Sequence, residues 1–134
     1  YVLQTIRSIK EDEKMTSKEK AILAAEALEE KKGGDVRIIE IGEISTIADY
    51  FVIADGANAP QVEALVDNVK DKLGRAGVDT RRTEGMRNCG WILIDYDDVV
   101  VHVFSKSDRL FYDLERVWRD GKQTSISELK GTEA

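Results

Sequence analysis

Residues 91–118 read W-I-L-I-D-Y-D-D-V-V-V-H-V-F-S-K-S-D-R-L-F-Y-D-L-E-R-V-W, and this stretch decides the fold. Two apolar runs, 91–96 and 99–104, flank Asp97 and Asp98, which is the length and residue type of a two-residue hairpin turn. Such a turn usually needs a positive φ, which only glycine accepts freely, so Asp97 is predicted to be left-handed. The stretch therefore begins with a β-hairpin.

A helix must follow this hairpin at once. Ser105 or Ser107 can cap its first turn, and Gly121 can end its last. The apolar residues of the segment recur at spacings of three and four, which is typical of a helix with one buried stripe. That stripe consists of Leu110, Phe111, Leu114, Val117 and Trp118.

The chain before the hairpin predicts two further helices and three further strands. Alanine and leucine at helical spacing, followed by two glycines, predict the first helix at 17–32. Asn58 can cap the second helix, with Gln61 closing a capping box. The strands are predicted at 36–41, 50–54 and 80–83, and the last is polar enough to lie at a sheet edge or to remain a loop.

This order of elements favours an α/β fold, with one mixed sheet and helices packed on it. Residues 15–121 are predicted to form a single domain. The chain begins with Tyr1, and Met15 is a credible native start, so residues 1–14 are interpreted as an N-terminal extension. Residues 122–134 are interpreted as a C-terminal tail.

Composition narrows the class of protein. The 134 residues are 42% hydrophobic, which suits one small globular core, and no apolar run approaches the roughly 20 residues of a membrane span. Cys89 is the sole cysteine, so a reducing compartment such as the cytoplasm is expected. The net charge of -6 argues against nucleic-acid binding through a basic surface. A basic protein surface is the more natural partner.

Cys89 and the lone histidine, His102, suggest a nucleophile and its base, but each has a simpler interpretation. His102 alternates with Val100 and Phe104 on one strand face, where a histidine is usually packed and hydrogen-bonded. Cys89 lies in a glycine-flanked loop with no helix start behind it to lower its pKa. We therefore predict a packed histidine and no catalytic thiol.

Several ordered segments resemble the ribosome-silencing-factor family, also called Iojap-like. They are D-Y-x-D-V-V-V-H-V-F at 95–104 and R-x-F-Y-x-L-E-x-x-W at 109–118, preceded by T-I-A-D-Y-F at 46–51, V-I-A-D-G at 52–56, Gln61-Val62 and Glu84-Gly85. The resemblance covers roughly residues 17 to 120. It implies a nucleotidyltransferase-like version of the α/β fold, which the periodicity alone does not select.

The resemblance also implies a function without catalysis or a cofactor. A member of this family is expected to bind large-subunit ribosomal protein fourteen and so prevent the large and small subunits from joining, which represses translation. The family's strand-and-turn segment, matched here by residues 91–98, contributes to the docking surface. Exposed tryptophan and tyrosine are common interface anchors. The predicted partner-binding residues are therefore Trp91, Tyr96 and Asp98, with Asp95 in support.

Two alternatives remain open. The implied fold includes metal-dependent nucleotidyl transferases, which need two or three carboxylates around a metal pair. Asp55 ends a strand before a helix, and Asp95, Asp97 and Asp98 cluster in sequence, although turn residues of this type are expected for steric reasons alone. A dimeric scaffold is the other alternative, since a surface that awaits a partner can pair with its own copy.

Overall fold

The computed structural model describes residues 15–85, 90–113, 116 and 119–131. Within these ranges lie six strands and four helices whose bounds are defined. The strands are β1 Gly34–Glu40, β2 Tyr50–Gly56, β3 Arg82–Glu84, β4 Trp91–Asp95, β5 Val99–Ser105 and β6 Lys122–Thr124. The helices are α1 Ser17–Glu30, α2 Ala59–Arg75, α3 Lys106–Tyr112 and α4 Ile126–Lys130.

The strands form one mixed sheet in the order β3-β4-β5-β2-β1-β6. The central pair, β2 and β5, is parallel, and the other neighbours are antiparallel. The α/β fold class and the hairpin of β4 and β5 are thereby confirmed. The weak strand predicted near residue 80 is β3, whose three exposed residues lie at the sheet edge as expected for a short polar strand.

Helices α1 and α2 cover one face of the sheet. Thr16 accepts a hydrogen bond from the Glu19 amide while Glu19 bonds back to the Thr16 amide, so a capping box begins α1. The buried side of α1 is rich in alanine, which lets its backbone approach α2 and β2 closely. The buried residues of this layer include Ala21, Ala24, Ala25, Leu28, Leu65, Val69 and Leu73.

The second face of the sheet carries a separate buried cluster. It consists of Ile39, Ile41, Ala48, Phe51, Ile53, Val100 and Phe104. Strands β2 and β5 therefore bury side chains on both faces, which explains why their sequences are continuous apolar runs rather than alternating ones. Trp91 and Leu93 of β4 pack against this cluster and are only partly buried.

The capping of α2 differs in one detail from the prediction. Asn58 accepts a hydrogen bond from the Gln61 amide at 2.9 Å, as predicted for the N-cap. The Gln61 side chain does not close the box on Asn58; its oxygen accepts instead from the Ala57 amide at 2.6 Å. Its amide group donates to the Lys32 carbonyl at 2.9 Å, so Gln61 also ties α2 to the segment after α1.

Residues 122–131 are folded onto the domain, whereas the sequence predicted a C-terminal tail at 122–134. Strand β6 pairs with β1 and adds a sixth strand to the sheet. Leu129 of α4 is buried against the layer that contains α1, and Lys130 forms an ion pair with Glu26 at 2.9 Å. The sequence hid this extension because a three-residue strand at an edge has no periodicity to detect. The folded domain therefore includes residues 122–131.

Some sequence predictions fall outside the described residues. Cys89, Leu114, Val117 and Trp118 belong to this group, as does the interpretation of residues 1–14 as an extension. The helix after the hairpin is confirmed over Lys106–Tyr112, with Ser105 as its N-cap. The prediction that it continues to Gly121 is wrong, because the left-handed Asp113, with a φ of 48°, caps it after Tyr112. None of the described helices combines the length and the apolar character that crossing a bilayer requires.

Candidate docking surface

Strand β4 divides its side chains between the two faces of the sheet. Ile92 and Ile94 are buried on the face that α1 and α2 cover, whereas Trp91, Leu93 and Asp95 lie on the other face and are partly exposed. This alternation is the one the sequence predicts for a strand. Of the two predicted aromatic anchors, Trp91 is the one on the partly exposed face.

Trp91 is held in place by the aromatic cluster beneath it. Its ring stacks on Phe104 with the centroids 5.2 Å apart, and its Nε1 donates a hydrogen bond of 3.0 Å to Nδ1 of His102. His102 in turn meets the edge of Phe51 at a centroid distance of 4.7 Å. An indole fixed by stacking and a hydrogen bond loses little rotational freedom when a partner binds, which favours its use as an anchor.

His102 is buried at the centre of this cluster, which confirms the prediction of a packed histidine. Its Nδ1 accepts from Trp91, so its proton is carried on Nε2, which is buried without a hydrogen-bond partner. Burial lowers the pKa of His102 to about 4, so the imidazole is neutral near pH 7. A neutral ring is required for the Trp91 bond, because a protonated imidazole has no free acceptor.

Tyr96 was expected to be an exposed anchor, but the structure buries it. Its ring points to the helix-covered face, and only 3% of the residue is exposed. The hydroxyl is buried and has no hydrogen-bond partner, and burial, followed by the nearby charge of Asp79, raises the pKa of Tyr96 to about 12. The residue fills the core at the end of β4. Its ring is therefore not available to a partner in this conformation.

The turn between β4 and β5 is confirmed as a tight hairpin. The Tyr96 amide donates to the Val99 carbonyl at 2.9 Å, and Asp97 has a φ of 75°, as predicted. The Asp95 carboxylate accepts from the Asp97 amide at 2.8 Å and from Nε of Arg82 at 3.2 Å. Asp97 itself forms an exposed ion pair with Arg81 at 2.7 Å.

Asp98 connects this turn to two other parts of the fold. Its carboxylate is 2.8 Å from Nζ of Lys20, whose side chain is 6% exposed against 33% for Asp98. Its carbonyl accepts from the amides of Asp49 and Tyr50, at 2.7 and 3.3 Å. Asp98 therefore ties the hairpin to α1 and to the start of β2. It remains partly exposed, but its first role is to fix the shape of the turn.

Two features of this region escape sequence reasoning. Lys20 lies in the first turn of a helix, where a lysine is ordinarily solvated, and its ion pair joins residues that are 78 positions apart. The loop at residues 42–49 exposes two isoleucines, Ile44 and Ile47. The second feature has a sequence signal, because two large apolar residues fall within the eight residues that join two predicted strands.

The carboxylates of the transferase alternative do not converge. Asp55 lies opposite Phe104 in the parallel pair, whereas Asp95 lies opposite Val100, so about 13 Å of strand separates the two ends. The buried Asp55 carboxylate is instead paired with Arg109 at 3.0 Å. No cluster of three histidine, cysteine, aspartate or glutamate side chains suited to a metal ion occurs among the described residues.

Fold and surface together define a class of small α/β protein. Helices α1 and α2 cover one face of its mixed sheet, and the other face carries a partly exposed strip on β4, formed by Trp91, Leu93 and Asp95. The family model for the ribosomal silencing factor during starvation, RsfS, matches residues 14–134. The chain belongs to this family. The family's name denotes regulation of the ribosome rather than a chemical reaction.

Individual relatives support this membership. The ribosomal silencing factor RsfS of Bacillus subtilis is 39% identical over 98 residues, which are 73% of this chain and 83% of the relative. The protein of the same name from Halalkalibacterium halodurans is 40% identical over 112 residues, which are 84% and 96% of the two chains. A solved structure from Chromobacterium violaceum has a TM-score of 0.76 and 38% identity, and the match covers 83% of this chain and 92% of that one.

These matches confirm the resemblance drawn from the sequence and the mixed α/β fold. The more specific nucleotidyltransferase-like description stays a prediction.

Proposed function

We propose that this protein binds the large ribosomal subunit through ribosomal protein fourteen and prevents the small subunit from joining, and thereby represses translation in the cytoplasm. Family membership supports association with the ribosome in general. The net charge of -6 supports a basic partner, since opposite charge speeds the encounter of two proteins. No cofactor and no chemical step is needed for such a role.

The observation that carries the proposal is that the Trp91 ring is partly exposed and held in one orientation. Its ring is partly exposed, yet stacking on Phe104 and the hydrogen bond to His102 fix its orientation before any partner arrives. Tryptophan is enriched among the residues that contribute most of the binding energy at protein interfaces, and a ring whose orientation is already fixed loses little entropy on binding. Leu93 lies next to Trp91 on the same strand face and extends the apolar contact.

The aspartates contribute in a different way. Asp95 continues the face formed by Trp91 and Leu93, and Asp98 lies in the turn that follows, but each already has a basic partner, Arg82 and Lys20. Their pairing holds the hairpin in shape and leaves the carboxylates partly accessible at the rim. We propose them as rim contacts of the interface, where charge affects the rate of association more than the final affinity.

Self-association is the second candidate. We propose that the isolated protein forms a homodimer through the same strip, because an apolar surface lacking its partner can pair with another copy. Such a dimer would have to dissociate, or use another surface, when the ribosome binds. The measured mass of the free protein and its concentration dependence test this part.

A titration of subunit joining by light scattering tests the main proposal. Inhibition should be complete near one protein per large subunit, because occlusion is stoichiometric. A transferase would act at a small fraction of that ratio and would require a nucleotide and a divalent metal. Complete inhibition at substoichiometric amounts would overturn the occlusion mechanism.

Variants of β4 and its turn test the surface. Trp91→Ala should weaken binding to large subunits by about 2 kcal/mol or more while the chain stays folded. Tyr96→Phe is a matched control, because it removes only a buried hydroxyl that has no hydrogen-bond partner. We expect its binding to equal that of the wild type. Equal binding by a folded Trp91→Ala variant would remove Trp91 from the interface.

A further inference from the structure

The loop between β1 and β2, residues 42–49, has an unusual surface. Ile44 is 48% exposed and Ile47 is 63% exposed, and these are the large apolar side chains that solvent reaches most freely within the described ranges. Single exposed apolar residues are common on proteins and need no explanation. Two in one short loop, beside a candidate docking surface, call for a closer look at its geometry and charge.

Hydrogen bonds close the loop at its base. The amides of Ile41 and Gly42 both donate to the Asp49 carbonyl, at 2.8 and 3.2 Å. The amides of Ile44 and Ser45 turn back to the Ile41 carbonyl, at 3.0 and 2.9 Å. A compact loop with its ends fixed in this way presents its side chains at a small entropic cost on binding. The two isoleucines are therefore displayed on a preorganised support.

The loop is continuous with the candidate docking surface. Asp49 donates its amide to the Asp98 carbonyl at 2.7 Å, which attaches the loop to the hairpin turn. Ile41 and Ala48, at the two ends of the loop, belong to the buried cluster against which Trp91 packs. Trp91 lies about 13 Å along β4 from this end, and the loop joins β1 and β2, which are two and three strands from β4, or about 10–14 Å across the sheet. An interface of ordinary size, about 800 Å² per partner, is wide enough to include both.

The charge of the loop selects the kind of partner. Glu43 and Asp49 flank the isoleucines and are exposed, and neither carboxylate has an ion-pair partner in the part of the chain that the structure describes. Asp97 and Asp98, by contrast, are paired with basic residues of the protein itself. Lysine or arginine side chains of a basic partner could form ion pairs with these two carboxylates. A second copy of this chain would bring like charges together across a two-fold axis.

We infer that Ile44 and Ile47 are apolar contacts to the basic protein surface on which this chain docks, with Glu43 and Asp49 as the unpaired charges that attract it. This inference rests on the proposed function and adds a second contact region to it. The strip on β4 and the loop would then bind the same partner from two adjoining positions.

The apolar part is tested with Ile44→Ser/Ile47→Ser, measured by co-sedimentation with purified large subunits. Both side chains are exposed, so the melting temperature should stay near that of the wild type, and the dissociation constant should rise about tenfold or more. Wild-type affinity in this variant, with binding lost in Trp91→Ala, would overturn the inference and leave the proposed function standing. Absence of binding by the wild type would overturn both.

The electrostatic part is tested with Glu43→Gln/Asp49→Asn. The matched control is Glu29→Gln/Asp67→Asn, which removes two exposed carboxylates from α1 and α2 on the opposite side of the sheet. Both variants change the net charge equally, so the loop variant should slow association and flatten its salt dependence more than the control does. Equal effects would overturn the assignment of these two carboxylates.

The rival occupant is a second copy of the chain. Ile44→Ser/Ile47→Ser should leave the mass of the free protein, measured by sedimentation equilibrium, unchanged from that of the wild type. A wild-type dimer that becomes a monomer in this variant, with unchanged affinity for large subunits, would assign the loop to self-association and overturn the inference.

Discussion

Lowering the pH from 7 to 5 should destabilise this protein through one residue, His102. Its folded pKa of about 4 is depressed from the ordinary 6.5 by burial. At pH 5 the ring is therefore neutral in the folded protein and mostly protonated in the unfolded chain. Because the unfolded state binds more protons in this window, stability is fully present above about pH 6.5 and is lost as the pH falls toward 4.

The magnitude follows from the two pKa values. Linkage gives a loss of about 2 kcal/mol in the free energy of unfolding between pH 7 and pH 5, and about 3 kcal/mol by pH 4. His102 is the one histidine in the chain, so no second imidazole contributes. A comparison with a variant that lacks the imidazole separates the contribution of His102 from that of the carboxylates.

Urea unfolding followed by far-UV circular dichroism at pH 5, 6 and 7 measures this loss. The control is His102→Asn, whose side-chain oxygen can accept the Trp91 hydrogen bond but does not titrate. The variant should be less stable at pH 7 because it leaves unfilled space, yet its stability should be nearly constant over the interval. An equal pH dependence in wild type and variant would refute the assignment of the loss to His102.

Four further substitutions test the packing of the fold and of its hairpin turn. Lys20→Met should cost about 1–2 kcal/mol of unfolding free energy in urea titrations, because it removes a buried partner from a carboxylate that water reaches only in part. Asp97→Gly should leave the melting temperature unchanged or raise stability by up to about 1 kcal/mol, since φ is 75° there; a clear decrease would contradict this. Gly34→Ala should destabilise by about 2 kcal/mol or more in the same titrations, because its Cβ would overlap Oδ1 of Asp55. Gly74→Ala, with nothing within 4 Å, should be neutral or stabilising.

The sequence predicted the elements whose periodicity is strong. The hairpin, its left-handed Asp97, helices α1 and α2 and the edge position of β3 all follow from local patterns, and the structure confirms them. Strand β6 was missed because its three residues pair with β1 across the sheet, and this pairing is a long-range property. Local chemistry specifies a turn or a cap, but an edge strand depends on what lies beside it.

At the candidate site, too, local patterns predicted some features, and others depended on long-range packing. The alternation along β4 correctly placed Trp91 and Tyr96 on opposite faces, but it gave no indication of which face the helices cover. Helices α1 and α2 cover the Tyr96 face, and for that reason Tyr96 is a core residue. The ion pair between Lys20 and Asp98 likewise depends on where α1 packs. Both outcomes require the tertiary arrangement and not the pattern of a single strand.

Net charge alone overstates how much of the acidic surface can attract a basic partner. Asp97 and Asp98 each have an ion-pair partner within the protein, so a docking lysine or arginine would replace one partly exposed pair with another and gain little. Glu43 and Asp49 have no such partner among the described residues, and a basic partner would give them their first. Electrostatic attraction should therefore be concentrated at the loop between β1 and β2, whereas Trp91 should supply most of the binding energy. Neutralising the loop should then slow association and leave dissociation nearly unchanged, and truncating Trp91 should mainly accelerate dissociation.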